Sequence, residues 1–219
     1  MKKIILALYL FIPVIFAEPS LEEIQSIKIS DIQRINSWML DKKTKPRFKV
    51  MILEKLNILL LENPEELIAN KDQLFSLFRN INRNHKDKGS SYNYLLRKKN
   101  CLLLSQFKGT EKENDSYEQI KENILTEDNG EVAASCIQMS SSYENKKDET
   151  NKLLVKMLEP TLKKKRVNEE EIEIASAIID VLDKFKKKQS YLPLLKVLES
   201  AYPGEIKNKA KKTLETLSP

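Results

Sequence analysis

Apolar residues recur at three- and four-residue spacings along nearly the whole of this 219-residue chain. That period matches the 3.6-residue turn of a helix and gives each segment one face to bury; a strand would need strict alternation. The clearest stripe is Ile172, Ala175, Ile178, Ile179, Leu182 and Phe185, which follows the start signal Asn168 with Glu171. Glycine usage points the same way. The chain has 4 glycines, where ~7% is usual. Tight hairpins, dinucleotide-binding turns and phosphate loops all consume glycine, so they are disfavoured together. Richness in Leu, Ile, Lys and Glu completes an all-α reading.

Start and stop signals divide the chain into ten helices that fall into five pairs. They are 30–44 with 46–61, 64–82 with 91–108, 115–126 with 130–146, 149–166 with 168–188, and 190–201 with 203–217. Ser30, Ser116 and Ser190 read as helix caps, and Pro46 and Pro64 suit first turns. Pro160 and Pro193 fall inside the first helix of their pairs, where they are expected to bend it. Trp38 reads as core of the first pair.

The N-terminus has a different composition. Lys2 and Lys3 precede an unbroken apolar run from Ile4 to Phe16, and Ala17 is followed by the polar Glu18-Pro19-Ser20. This is the layout of a secretory signal peptide over 1–17, cut near Ala17. The run is short for a membrane span, which needs ~20 residues. The expected product is periplasmic or secreted, with a linker at 18–29 and a helical domain at 30–219. Losing Lys2 and Lys3 lowers the formal charge of +6 by two, to +4.

A weak internal period runs through the second helices. A leading residue precedes a small one by four at Arg97/Cys101, Val132/Cys136, Ile172/Ser176 and Ile206/Ala210. Small side chains at repeated positions let neighbouring helices approach closely. The stretch Ile206-Lys207-Asn208-Lys209-Ala210-Lys211-Lys212-Thr213-Leu214 resembles the second helix of a HEAT repeat. Val132 to Met139 and Ile172 to Ile179 match it more loosely. On these residues the chain is similar to the HEAT-repeat and armadillo-like α-solenoids, most clearly over 115–217. The resemblance implies an α-solenoid of about five antiparallel helix pairs. It also implies a groove, lined by the second helices, that grips another macromolecule.

Composition narrows the chemistry. One histidine, His85, leaves no His cage or Ser-His-Asp triad, and it reads as a solvated loop residue. Two cysteines exclude a four-Cys zinc site. No cofactor, metal or catalytic set is implied. Cys101 and Cys136 occupy matching positions in adjacent pairs; they read either as small core residues or as a disulfide, which an exported compartment permits. Glu169-Glu170-Glu171 fits the negative first turn of a helix better than an acid pair. The basic runs read either as helix C-termini and solvated faces or as an anionic docking patch. The patch reading predicts that Lys184, Lys187, Lys188, Lys207 and Lys211 share one face. Lysine outnumbers arginine 32 to 6, and arginine is the better bidentate phosphate partner. Nucleic acid is therefore a poor fit, the more so for an exported chain.

The function expected is a non-catalytic protein-binding scaffold or adaptor outside the cytoplasm. The alternatives are a basic module on an anionic membrane surface or cell-wall polymer, or a cell-wall hydrolase. The hydrolase would need two buried carboxylates facing each other in one cleft.

Overall fold

A computed structural model of the protein describes residues 18–85 and 91–217. Every regular element among them is helical. In chain order these are α1 (Leu21–Ser26), α2 (Ile32–Leu40), α3 (Pro46–Glu62), α4 (Pro64–Ala69), α5 (Lys71–Asn84) and α6 (Ser91–Ser105). There follow α7 (Glu113–Thr126), α8 (Gly130–Ser140), α9 (Lys147–Leu162), α10 (Glu169–Phe185), α11 (Tyr191–Glu199) and α12 (Gly204–Thr216). Short 3-10 turns stand at Ile29–Asp31, Glu144–Lys146 and Lys188–Ser190. The expected signal segment at 1–17 lies outside the described residues.

Several boundaries differ from expectation for local reasons. Residues 18–29 do not form a simple linker. Ser20 and Glu23 make a reciprocal capping box that starts α1, and Ile24 and Ile27 are buried. The expected helix over 64–82 is broken at Asn70, whose side chain donates to the Glu66 carbonyl and stops α4. The 130–146 helix ends at Ser140, where three successive serines bond back to carbonyls one turn earlier. Pro193 sits in the first turn of α11, where a missing N–H costs nothing; only Pro160 lies within a helix interior.

The expected serine caps are used otherwise. Ser30 lies within a 3-10 turn, while Ser116 and Ser190 are buried and bond to other elements. Asn129 caps α8 instead, accepting from the Val132 amide. Gly130, the first residue of α8, lets that helix approach α10 closely: a Cβ there would lie 2.6 Å from the Glu170 Cα.

Each hairpin packs internally: α2 on α3, α5 on α6, α7 on α8, α9 on α10, and α11 on α12. The second helices also pack on one another in chain order, α3 on α6, α6 on α8, α8 on α10, and α10 on α12. Among the first helices, α2 packs on α5, α5 on α7, and α9 on α11. The apolar stripes meet in one continuous core, in which Trp38 is 1% exposed.

Buried polar links recur within and between hairpins. Asn100 Nδ2 donates to the Phe78 carbonyl at 2.8 Å, joining α6 to α5 inside the second hairpin. The Tyr143 hydroxyl meets Ser116 Oγ at 2.8 Å and donates to the Leu104 carbonyl at 2.9 Å. Tyr117 meets Thr150 at 3.0 Å, Ser190 donates to Asn151 at 2.8 Å, and Tyr202 donates to Thr161 at 2.7 Å. A link of this kind contributes about 1 kcal/mol net, but leaving its buried partner bare would cost more.

Candidate functional site

The outer surface of the second helices carries aliphatic residues at one end and ion pairs along its length. Ile58 and Leu61 on α3 are 46% and 67% exposed, and Leu102 on α6 is 38% exposed. Between these helices runs a groove of about 330 Å³, lined by Leu53, Glu54, Asn57, Ile58, Lys99 and Leu102. The helical period explains the pattern. On α3 the inward stripe of Leu53, Leu56 and Leu60 is fully or nearly fully buried, so the next positions around the helix point outward. A Glu54–Lys99 ion pair at 2.8 Å spans the groove.

Lysines cross from helix to helix over the rest of the surface. Lys98 pairs with Glu131, Lys209 with Asp180, Lys112 with Asp72, Lys121 with Glu149, and Lys187 with Asp148. Each pair contributes little to stability. Together they balance charge locally along the surface while leaving the net positive charge unchanged. Asp72, Asp148 and Glu171 are held below the usual carboxylate range, in each case chiefly by a hydrogen bond from a lysine: Lys112, Lys187 and Lys164 respectively. Among the described residues, every carboxylate with a displaced pKa is pushed down.

The five lysines expected on one face have different local settings. Lys184 Nζ donates to the Ser141 carbonyl at 3.2 Å and to Ser141 Oγ at 3.1 Å. Lys187 pairs with Asp148 at 2.8 Å, whereas Lys188 lies exposed in the 3-10 turn after α10. Lys207 and Lys211 are one turn apart on α12. Lys209 faces α10, and at ~100° per residue Lys207 and Lys211 fall on the far edge of α12. Lys184, Lys207 and Lys211 lie on the helices expected for them, whereas Lys187 and Lys188 fall beyond α10, which ends at Phe185 and not at 188 because Lys186 takes a left-handed conformation at its C-cap.

Cys101 of α6 and Cys136 of α8 are joined in a disulfide, with Cα atoms 5.2 Å apart and both residues fully buried. Beside it Arg97, 8% exposed, makes a two-point pair with Glu127, at 2.7 Å through Nε and 3.0 Å through Nη2. Arg97 Nη1 donates to the His85 carbonyl at 2.7 Å. Arg97 and Cys101, like Val132 and Cys136, are the leading and small residues of the internal period, and the fold brings all four to one seam.

His85 differs from the loop residue expected. It caps the C-terminus of α5, half-buried, with Nε2 3.4 Å from the Met39 carbonyl. Burial first, then the nearby Lys49 charge, push its pKa down. Lys49 itself is 5% exposed and makes no ion pair among the described residues. Burial lowers its pKa, partly offset by Asp41. No sequence pattern marked Lys49, because a lysine among apolar residues of an amphipathic helix reads as part of the polar face. No group of three His, Cys, Asp or Glu suited to a metal ion occurs among the described residues.

These features define a class: an all-helical protein of successively packed hairpins with an internal disulfide. No family model, no curated protein and no solved structure matches the chain. The likeness to HEAT repeats therefore rests on the sequence pattern quoted above.

Proposed function

We propose that the chain is a non-catalytic binding scaffold of the α-solenoid type, working outside the cytoplasm. It would grip a protein segment in the groove between its first two second helices, α3 and α6. The observation that carries this reading is the exposed aliphatic set Ile58, Leu61 and Leu102 beside that groove. Large apolar side chains gathered on a surface favour a partner that covers them. The packing of second helices in chain order supports the solenoid reading. The Cys101–Cys136 disulfide and the signal-like N-terminus support an oxidising, exported location. The fitting partner presents aliphatic side chains flanked by charge, which Glu54 and Lys99 can meet at the rim.

The test is photocrosslinking in cells from a reactive residue placed at Ile58 or Leu102, with exposed Leu192 of α11 as the reference position. The expected result is one discrete partner crosslinked from the groove but not from Leu192. Its binding should survive high salt and be lost in the combined Ile58→Glu, Leu61→Glu and Leu102→Glu variant with unchanged melting. A partner captured equally from Leu192, or retained by the triple variant, overturns the reading.

A further inference from the structure

Helix α11 is apolar nearly all round. Of its 9 residues only Lys196 and Glu199 are charged. A helix of that composition is ordinarily enclosed on every side. Here one side is enclosed: Leu194 and Val197 are fully buried in the core that α11 shares with α9 and α12. Leu192 is 66% exposed, and Leu195 and Tyr191 are exposed beside it. At about 100° per residue these three fall in one arc pointing away from Leu194 and Val197, with exposed Lys196 at its border. A single exposed leucine needs no explanation, but three large apolar side chains on one short arc do.

The setting of this arc is positive. Ser190 donates to Asn151 near the start of α9, and Tyr202 donates to Thr161 near its end, so α9 and α11 run side by side in the same direction. A groove of about 350 Å³ between α9 and the turn into α11 is lined by Asn151, Lys152, Val155, Lys156, Glu159 and Gln189. Lys152, Lys156, Lys188 and Lys196 are all exposed, and none of them makes an ion pair among the described residues. The acids at the start of α9 are already taken, Asp148 by Lys187 and Glu149 by Lys121. Glu159 and Glu199 offset two of the four lysine charges, and both lie toward the C-terminal ends of their helices. The first turns of α11 therefore present an apolar arc with positive charge in excess around it.

We propose that this face docks on the surface of an anionic lipid bilayer. Leu192 and Leu195 enter the boundary between headgroups and acyl chains, Tyr191 sits at headgroup level, and the four lysines reach lipid phosphates. Lysine suits that diffuse array of phosphates, where a fixed bidentate contact would call for arginine. A second copy of the chain fits worse on two counts. It would bring the same positive rim against itself, and three side chains fall far short of the ~800 Å² that each partner of a stable dimer buries. The surface belongs to first helices, apart from the α3–α6 groove on the second helices, so this reading and the scaffold reading fail separately. A lipid adduct at Leu192 is not a protein partner captured there.

The test uses vesicles of phosphatidylcholine alone and of phosphatidylcholine with phosphatidylglycerol in equal parts. The chain's one tryptophan, Trp38, is buried, so Leu192→Trp adds an emission that reports on this face. That emission should shift to the blue, and the protein should sediment, with the mixed vesicles and not with phosphatidylcholine alone. Leu192→Ser/Leu195→Ser, at exposed positions, should weaken binding about tenfold with melting unchanged. Lys188→Gln and Lys196→Gln should each weaken it about fivefold, the effect of one charge near an anionic surface. No binding to the mixed vesicles, or equal binding to phosphatidylcholine alone, overturns the proposal. Full binding by the serine variant puts the contact elsewhere on the lysine-rich surface and overturns it as well. An equal blue shift with soluble polyglutamate means an acidic protein as the occupant, and also overturns it.

Discussion

The two halves of the molecule handle buried polarity differently. From α7 onward, the hydroxyls that enter the core are matched: Ser116 with Tyr143, Tyr117 with Thr150, Ser190 with Asn151, and Tyr202 with Thr161. In the first half, Asn36, Thr44, Asn82 and Asn100 each keep a buried oxygen with no partner, and Lys49, 5% exposed, has no ion pair among the described residues. The second half has fewer such atoms, on Glu113 and Asn151. A fully matched polar network fixes one arrangement of neighbouring helices. Unmatched groups cost stability and mark places where a ligand or partner can supply what the chain lacks. The contrast places the C-terminal hairpins as framework. The candidate recognition groove between α3 and α6 lies on the other side of the divide.

The largest effect should come from the disulfide that joins the two halves. Its cysteines are 35 residues apart, and loop-closure entropy alone gives a loss of about 4 kcal/mol when both are replaced by alanine. Urea unfolding of Cys101→Ala/Cys136→Ala against the oxidised protein measures this. A loss below ~1 kcal/mol would mean that packing alone holds the seam. Next in size, Tyr143→Phe should destabilise by about 1–2 kcal/mol, because it strips a donor from the Leu104 carbonyl and a partner from Ser116. A neutral result would remove the distinction between the halves.

The smallest effect has the opposite sign. Lys49→Met should stabilise slightly, by less than about 1 kcal/mol, since it removes a partly desolvated charge that has no ion pair among the described residues and keeps the side-chain length. Burial lowers the Lys49 pKa below its ordinary 10.5. The unfolded chain therefore holds this proton more tightly than the folded one, and the penalty is complete at neutral pH. It fades as pH rises through the folded value toward 10.5, so the gain from Lys49→Met should shrink over that range. Thermal melts of both proteins from pH 7 upward check the sign. A loss at pH 7 would show that Lys49 has a favourable partner after all.

Element type was readable from periodicity because burying one face of a 3.6-residue helix demands that pattern whatever the neighbours are. Caps were read less well. Ser116 and Ser190 satisfy the local rule for a helix start, yet both are drawn into the core by a partner more than twenty residues away: Tyr143 for Ser116, and Asn151 for Ser190. The reverse error hid α1. Ser20 and Glu23 form a plain capping box, but their place just after the signal-like segment made the stretch read as a linker.

The residues of the candidate sites were legible only in part. Cys101, Cys136, Arg97 and Val132 stood out through their repeated spacing. Asn82, Asn123 and Glu127 did not, because nothing in their local pattern shows that they meet at the same seam.

Local chemistry was enough to dictate helices, their approximate ends and the small residues on their contact faces, since these depend on spacing within a few turns. Which helix meets which, which lysines are tied down by Ser141, Asp148 or Asp180, and where Lys49 and Asn82 lose their water were decided by the packed hairpins. Desolvation and cross-helix pairing depend on distances between segments far apart in the chain, and those distances exist only once the core has formed.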